Sequence, residues 1–115
     1  MKISNYKFKI DDKSILNYYE IKSNKPKLLL LHAQGTNSLS FMSVTNKLSK
    51  YFHIYLVDYY GHGKSSFNRE KYNLIDIGND IIKFIEEVIK DNVSVLGHSS
   101  GGLIASYIAS NCELC

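Results

Sequence analysis

The stretch VSVLGHSSGGLIA, residues 93–105, decides how the rest of the sequence is interpreted. A short apolar run is followed by the pattern G-x-S-x-G centred on Ser99, and then by a segment with helical spacing. Gly97 and Gly101 permit a turn so tight that the serine is held in a strained conformation above the sheet. Free N–H groups at the start of the next helix can stabilise an oxyanion there. The pattern predicts a nucleophile at Ser99; the alternative is an ordinary glycine-rich turn.

The remaining segments predict strands that alternate with helices. Strands are expected at 3–10, 15–22, 27–33, 52–57 and 93–96, and helices at 38–50, from Asn73 onward and at 101–111. Asn73 and Asp76 have the spacing of a capping box. The first helix should bury Phe41, Val44 and Leu48; the second should bury the stripe Leu74, Ile77, Ile81, Ile85 and Val88. This order predicts an α/β fold, a three-layer αβα sandwich. Its sheet should be mostly parallel, with an antiparallel hairpin at its N-terminal edge.

Composition restricts the class of protein. The chain has 115 residues, of which 44% are hydrophobic, so one domain with a real core is expected. The net charge is +3, and lysines near the N-terminus alternate with apolar residues as in a half-solvated strand, which argues against nucleic-acid binding. We find no secretion signal and no apolar run that could span a membrane, so a cytoplasmic location without membrane contact is expected. The two cysteines, Cys112 and Cys115, indicate neither a disulfide framework nor a metal site.

Two further segments carry motifs of their own. Residues 28–35 read LLLLHAQG, an apolar strand with a loop, and residues 58–65 read DYYGHGKS, a loop that follows the next strand. Together with residues 93–105, in this order and spacing, they resemble the α/β-hydrolase fold family, which has a strand ending in His-Gly-x, a D-x-x-G-x-G-x-S loop and a nucleophile elbow. The resemblance implies that residues 1–115 form a partial, truncated α/β-hydrolase domain that ends after the elbow helix.

The resemblance also implies roles for individual residues. It makes Ser99 the nucleophile of a serine hydrolase acting on a small-molecule ester or related acyl bond, without cofactor or metal. The backbone N–H groups of Gln34 and Ser100 would form the oxyanion hole. Ala33 stands where the family usually has glycine, so the Gln34 assignment depends on a loop that lacks this glycine.

The triad acid and histidine of the family are not evident. After Ser99 the only acidic residue is Glu113, which lies 14 residues further on, roughly 20 Å away along a helix. His32 could serve as a base, or it could be a structural hydrogen-bonding residue. We therefore expect the isolated chain to have negligible activity. The alternative is a non-catalytic remnant, or a fragment that depends on a partner bound through the open, apolar edge of the last strand.

Overall fold

A computed structural model describes residues 2–67 and 73–115 of the chain. The strands are β1 (Ser4–Lys9), β2 (Ile15–Ile21), β3 (Lys27–Leu31), β4 (His53–Val57) and β5 (Val93–Gly97). The helices are α1 (Met42–Leu48), α2 (Leu74–Phe84) and α3 (Ser100–Asn111), with a 3₁₀ turn at Ser38–Phe41 and a π turn at Ile85–Ile89. Every predicted element is present, with ends that differ by a few residues. Residues 68–72, which follow the predicted loop at 58–65, lie outside the described residues.

The five strands form one sheet in the order β1-β2-β4-β3-β5. β2 is antiparallel to both of its neighbours, whereas β3 is parallel to both β4 and β5. Only β2 therefore runs against the common direction of the other four strands. This confirms the predicted α/β class with an antiparallel hairpin at the N-terminal edge. It also brings the carboxyl ends of β3, β4 and β5 to one edge of the sheet.

Helices cover both faces of the sheet, as the sandwich prediction required. On one face, Phe41 and Leu48 pack with alternate residues of the central strands, among them Leu30 and Leu56. The burial of Val44 was predicted wrongly, since its side chain is 44% exposed. The 3₁₀ turn ahead of α1 shifts the helical phase, and the buried position falls on Thr45, whose hydroxyl donates to Phe41 O at 2.6 Å.

On the opposite face, α2 and α3 pack against each other and against the sheet. The capping box is confirmed: Asn73 Oδ1 accepts from Asp76 N at 2.9 Å, and Asp76 Oδ2 accepts from Asn73 N at 3.0 Å. The predicted stripe is largely buried. It differs from the prediction in that Val88 is only partly buried, whereas Phe84, which was not predicted to belong to the stripe, is fully buried. The π turn that follows α2 changes the spacing of the buried positions at this point.

Candidate active site

Ser99 lies at the turn between β5 and α3, the place that the sequence predicted for it. Its backbone has φ 57° and ψ −118°, outside the regions that L-residues usually adopt, and its side chain is exposed. Such a conformation costs of order 1–3 kcal/mol and persists only where surrounding structure enforces it. The strained turn expected for a nucleophile elbow is therefore present.

Two glycines make this turn possible by close backbone contacts. A Cβ atom on Gly97 would lie 2.6 Å from Gly102 N and closer still to the carbonyl of Gly101. A Cβ atom on Gly101 would lie 3.0 Å from His32 O and would overlap Leu31 O. The prediction that positions 97 and 101 must be small is confirmed, because in both cases the obstacle is backbone.

The loop after β3 reaches the same point. His98 N donates to Leu31 O at 3.0 Å, which continues the β3–β5 ladder past the end of β5. Gln34 N donates to the side-chain oxygen of Ser100 at 2.6 Å. The two residues proposed for the oxyanion hole are therefore adjacent. Sequence reasoning missed that the Ser100 hydroxyl, and not only its backbone, takes part in this contact.

The loop at 58–65 is held to neighbouring segments by hydrogen bonds to Asp58. The Asp58 carboxylate is 2% exposed. It accepts four hydrogen bonds, from Ser38 N (2.8 Å), Ser38 Oγ (2.7 Å), Asn17 Nδ2 (3.0 Å) and Lys64 N (3.2 Å). Gly63, at φ 52°, lies so close that an added Cβ would be 2.7 Å from Asp58 Oδ1. Asp58 thus joins three segments that are distant in sequence, and this is a structural role.

The histidines near the site hold backbone groups. His32 is fully buried, its Nδ1 donates to Ala33 O at 2.8 Å, and its Nε2 accepts from Tyr59 N at 3.2 Å. Burial is the main cause that lowers the pKa of His32, so the ring is neutral near pH 7. His62 Nε2 accepts from Gly35 N at 2.9 Å, and its Nδ1 donates to Tyr60 O at 3.1 Å. These contacts support the structural interpretation of His32 over a role as base.

An open groove of about 600 Å³ adjoins the turn on the face of the sheet that carries α1. It runs between α1 and β5 and is lined mainly by apolar side chains, with Lys47 and His98 as its charged or titratable members. Among residues 2–67 and 73–115, no three histidine, cysteine or acidic side chains are grouped as metal ligands would be. None of the helices in these ranges has the length and apolar character needed to cross a bilayer.

Comparisons with known proteins agree with this geometry. A family model described as alpha/beta hydrolase fold matches residues 26–111. A putative esterase/lipase of Haemophilus influenzae is 31% identical over 113 residues, which are 95% of this chain and 39% of that protein. A pimeloyl-[acyl-carrier protein] methyl ester esterase of Photorhabdus laumondii is 36% identical over 85 residues, covering 71% of this chain and 30% of the relative.

Solved structures show the same fold. A hydrolase from Pseudomonas aeruginosa superposes with a TM-score of 0.85 at 25% identity, over 93% of this chain and 41% of that one. A haloalkane dehalogenase from Bradyrhizobium elkani has a TM-score of 0.90 at 21% identity, over 98% of this chain and 39% of that one, and this likeness concerns the fold alone. The chain spans between 27% and 39% of the length of the curated relatives that it matches. The match over most of the chain shows that it belongs to the α/β-hydrolase fold family.

Proposed function

We propose that this chain supplies the nucleophile and the oxyanion hole of a serine hydrolase that acts on an ester or a related acyl bond. The observation that carries the proposal is the backbone of Ser99, at φ 57° and ψ −118°, between two glycines at which an added Cβ atom would clash with backbone. Strain of this kind is found mainly where it has a use in chemistry or binding. The names of the two esterase relatives support this class of substrate.

In this proposal, Ser99 Oγ attacks the carbonyl carbon of the substrate while a base removes the hydroxyl proton. The carbonyl π electrons move to oxygen. The N–H of Ser100 stabilises the resulting oxyanion together with the N–H of Gln34, which must first release the Ser100 hydroxyl that it binds in this structure. When the oxyanion collapses, the bond to the leaving alcohol breaks, and the alcohol receives the proton from the base. Water then attacks the carbonyl carbon of the acyl-serine while the base removes a proton from the water. When this second oxyanion collapses, the bond to Ser99 Oγ breaks, Oγ receives the proton from the base, and the acid is released.

The base is the part of this reaction that His32, His62 and Asp58 do not supply. Both ring nitrogens of His32 and of His62 are engaged with backbone groups, and Asp58 is saturated by four donors. A serine hydroxyl without a base is a weak nucleophile. We therefore expect negligible turnover of p-nitrophenyl esters by the 115-residue chain alone.

The experiment that tests the proposal is a covalent chimera. The 115-residue chain replaces the matched segment of the Haemophilus influenzae relative, and hydrolysis of p-nitrophenyl acetate and butyrate is measured. We expect activity that falls by at least about 10³-fold in Ser99→Ala. Ser110→Ala, a change of an exposed serine in α3, is the matched control and should stay within about twofold of the parent.

A folded chimera whose activity is unchanged by Ser99→Ala would refute the role of Ser99. The alternative function, a non-catalytic chain that acts only through a partner, is favoured by the engagement of the histidines. It predicts a chimera that folds, as judged by a cooperative thermal transition, but hydrolyses neither ester. Robust activity of the isolated chain that disappears in Ser99→Ala would instead restore His32 as a candidate base.

A further inference from the structure

The side chain of Ser100 lies where the proposed reaction would place the substrate oxygen. Gln34 N donates to Ser100 Oγ at 2.6 Å. An oxyanion would lie at about 2.7–3.1 Å from such a donor, so the hydroxyl oxygen occupies the point to which the Gln34 N–H is directed, which we call the oxyanion position. A backbone N–H carries a single proton. While Gln34 N is bonded to the hydroxyl, this proton is not available to a substrate.

The Gln34 N–H is fixed in its direction, because the peptide groups on both sides of the residue are held. The planar peptide group that contains Gln34 N also contains Ala33 O. This carbonyl oxygen accepts from Thr36 N at 3.1 Å and from Thr36 Oγ1 at 2.7 Å. The next peptide group is held through Gly35 N, which donates to His62 Nε2 at 2.9 Å. Access to the Gln34 N–H therefore depends on movement of the Ser100 side chain and not on movement of the loop.

The Ser100 side chain has the freedom that the loop lacks. Ser100 is the first residue of α3, and it is partly exposed. In the part of the chain that the structure describes, its hydroxyl makes no hydrogen bond besides the one from Gln34 N. Ser106, further along α3, behaves differently, since its hydroxyl donates to Gly102 O at 3.1 Å within the helix. Rotation about one staggered torsion would move the Ser100 hydroxyl away from Gln34 N without any change in the backbone.

We infer that the Ser100 hydroxyl closes the oxyanion position in the free protein and is displaced only when negative charge develops on the substrate oxygen. This inference rests on the proposed function. A hydrogen bond to a charged oxygen is roughly twice as strong as one to a neutral oxygen. A neutral ester carbonyl therefore has little advantage over the hydroxyl in the competition for the Gln34 N–H, whereas an oxyanion has a large one. Gln34 thus binds the transition state and not the ground state, which is the kind of interaction that accelerates a reaction.

Alanine at position 100 tests the hydroxyl alone, because it keeps the backbone N–H of this residue. In the chimera with the Haemophilus influenzae relative, Ser100→Ala removes a hydrogen bond that must otherwise break before the transition state is reached. The net value of one hydrogen bond corresponds to a factor of about 3 to 10, and kcat/KM for p-nitrophenyl acetate should rise by this factor. Ser106→Ala, which removes a hydroxyl from an exposed position of α3, is the matched control and should stay within about twofold of the parent.

Trifluoroacetophenone provides a second measurement that involves no leaving group. Ser99 Oγ adds to its carbonyl carbon, the base of the chimera takes the hydroxyl proton, and the carbonyl π electrons become the charge of an oxyanion at the oxyanion position. The inhibition constant of this ketone should fall in Ser100→Ala by the factor by which kcat/KM rises. A loss of packing around Ser100 would not improve the binding of an oxyanion, so this paired change separates the inferred role from a merely structural one.

The results that would overturn the inference differ from those that would overturn the proposed function. A fall in kcat/KM in Ser100→Ala would mean that the hydroxyl donates to the oxyanion, and it overturns the inference, as does a rise of less than about twofold. Activity that does not depend on Ser99 refutes the proposed function and with it the role given to Ser100. Activity that depends on Ser99 but does not rise in Ser100→Ala refutes the role of Ser100 alone. In the isolated chain, an unchanged rate of hydrogen exchange at the Gln34 amide in Ser100→Ala overturns the inference, whatever the activity of the chimera.

Discussion

Two adjacent glycines at the start of α3 provide a sharp test of the packing behind the turn, because the same substitution should have opposite effects at each. At Gly101, an added Cβ would lie 3.0 Å from His32 O and 3.1 Å from the carbonyl carbon of Leu31, and would overlap Leu31 O. At Gly102, the nearest atom to an added Cβ is Gly97 O at 3.9 Å. The first position is closed by the backbone of β3, whereas the second has ordinary space.

The magnitudes follow from these distances. Favourable contacts between heavy atoms begin near 3.5 Å, so Gly101→Ala must move α3 away from β3 by about half an ångström or more. Overpacking of this kind costs about 1–3 kcal/mol, and rigid backbone on the far side places the expected cost in the upper half of that range. Gly102→Ala replaces a helical glycine without a clash, and should stabilise the fold by up to about 1 kcal/mol.

The assay is unfolding in urea followed by far-UV circular dichroism, with a thermal scan as a second measure. We expect the two variants to differ by about 2–4 kcal/mol in free energy of unfolding, with Gly101→Ala the less stable. Each kcal/mol corresponds to roughly 4 °C in the midpoint of the thermal transition for a domain of this size. If both alanine variants have the same stability, the close approach of α3 to β3 is not the reason for glycine at position 101.

Three further predictions concern the network around the site. Asp58→Asn should lower the free energy of unfolding by about 2 kcal/mol, because an amide cannot accept from all four donors. The control Asp12→Asn, at an exposed position, should change it by no more than about 0.5 kcal/mol, and equal effects of the two variants in urea unfolding would contradict the role given to Asp58. Folding lowers the pKa of His32, so the unfolded chain binds more protons than the folded chain below about pH 6.5, and the free energy of unfolding should decrease as the pH falls. His32→Asn should reduce the dependence of this free energy on pH between about pH 7.5 and 5.5. An unchanged dependence would show that another group causes it. Ser100→Ala should speed hydrogen exchange at the Gln34 amide by at least about 10-fold, and an unchanged rate would mean that the hydroxyl does not hold this N–H in solution.

The turn at Ser99 was predictable because its causes are local. Strand, glycines and helix lie within a dozen residues, and the pattern specifies their geometry with little help from the rest of the chain. The capping box at Asn73 is local in the same way. The phase of α1 was not predictable, because the 3₁₀ turn before it places Thr45 rather than Val44 against the sheet.

The contacts around Asp58 and Ser100 show the limit of sequence reasoning. Asn17 and Asp58 are 41 positions apart, and Gln34 and Ser100 are 66 apart. Such pairs meet only because the order of strands brings distant loops to one edge of the sheet. Their side-chain bonds depend on positions within a few tenths of an ångström, which no spacing rule in the sequence specifies.

The positive φ of Ser99 has a consequence for how this position would change under selection. Glycine adopts such a backbone readily, so Ser99→Gly would relieve part of the strain. In a lineage that needed only the fold, mutation would be expected to replace this serine by glycine over time. A comparison of synonymous and amino-acid changes at this codon among near relatives would therefore report on selection for the hydroxyl, since stability alone favours its loss.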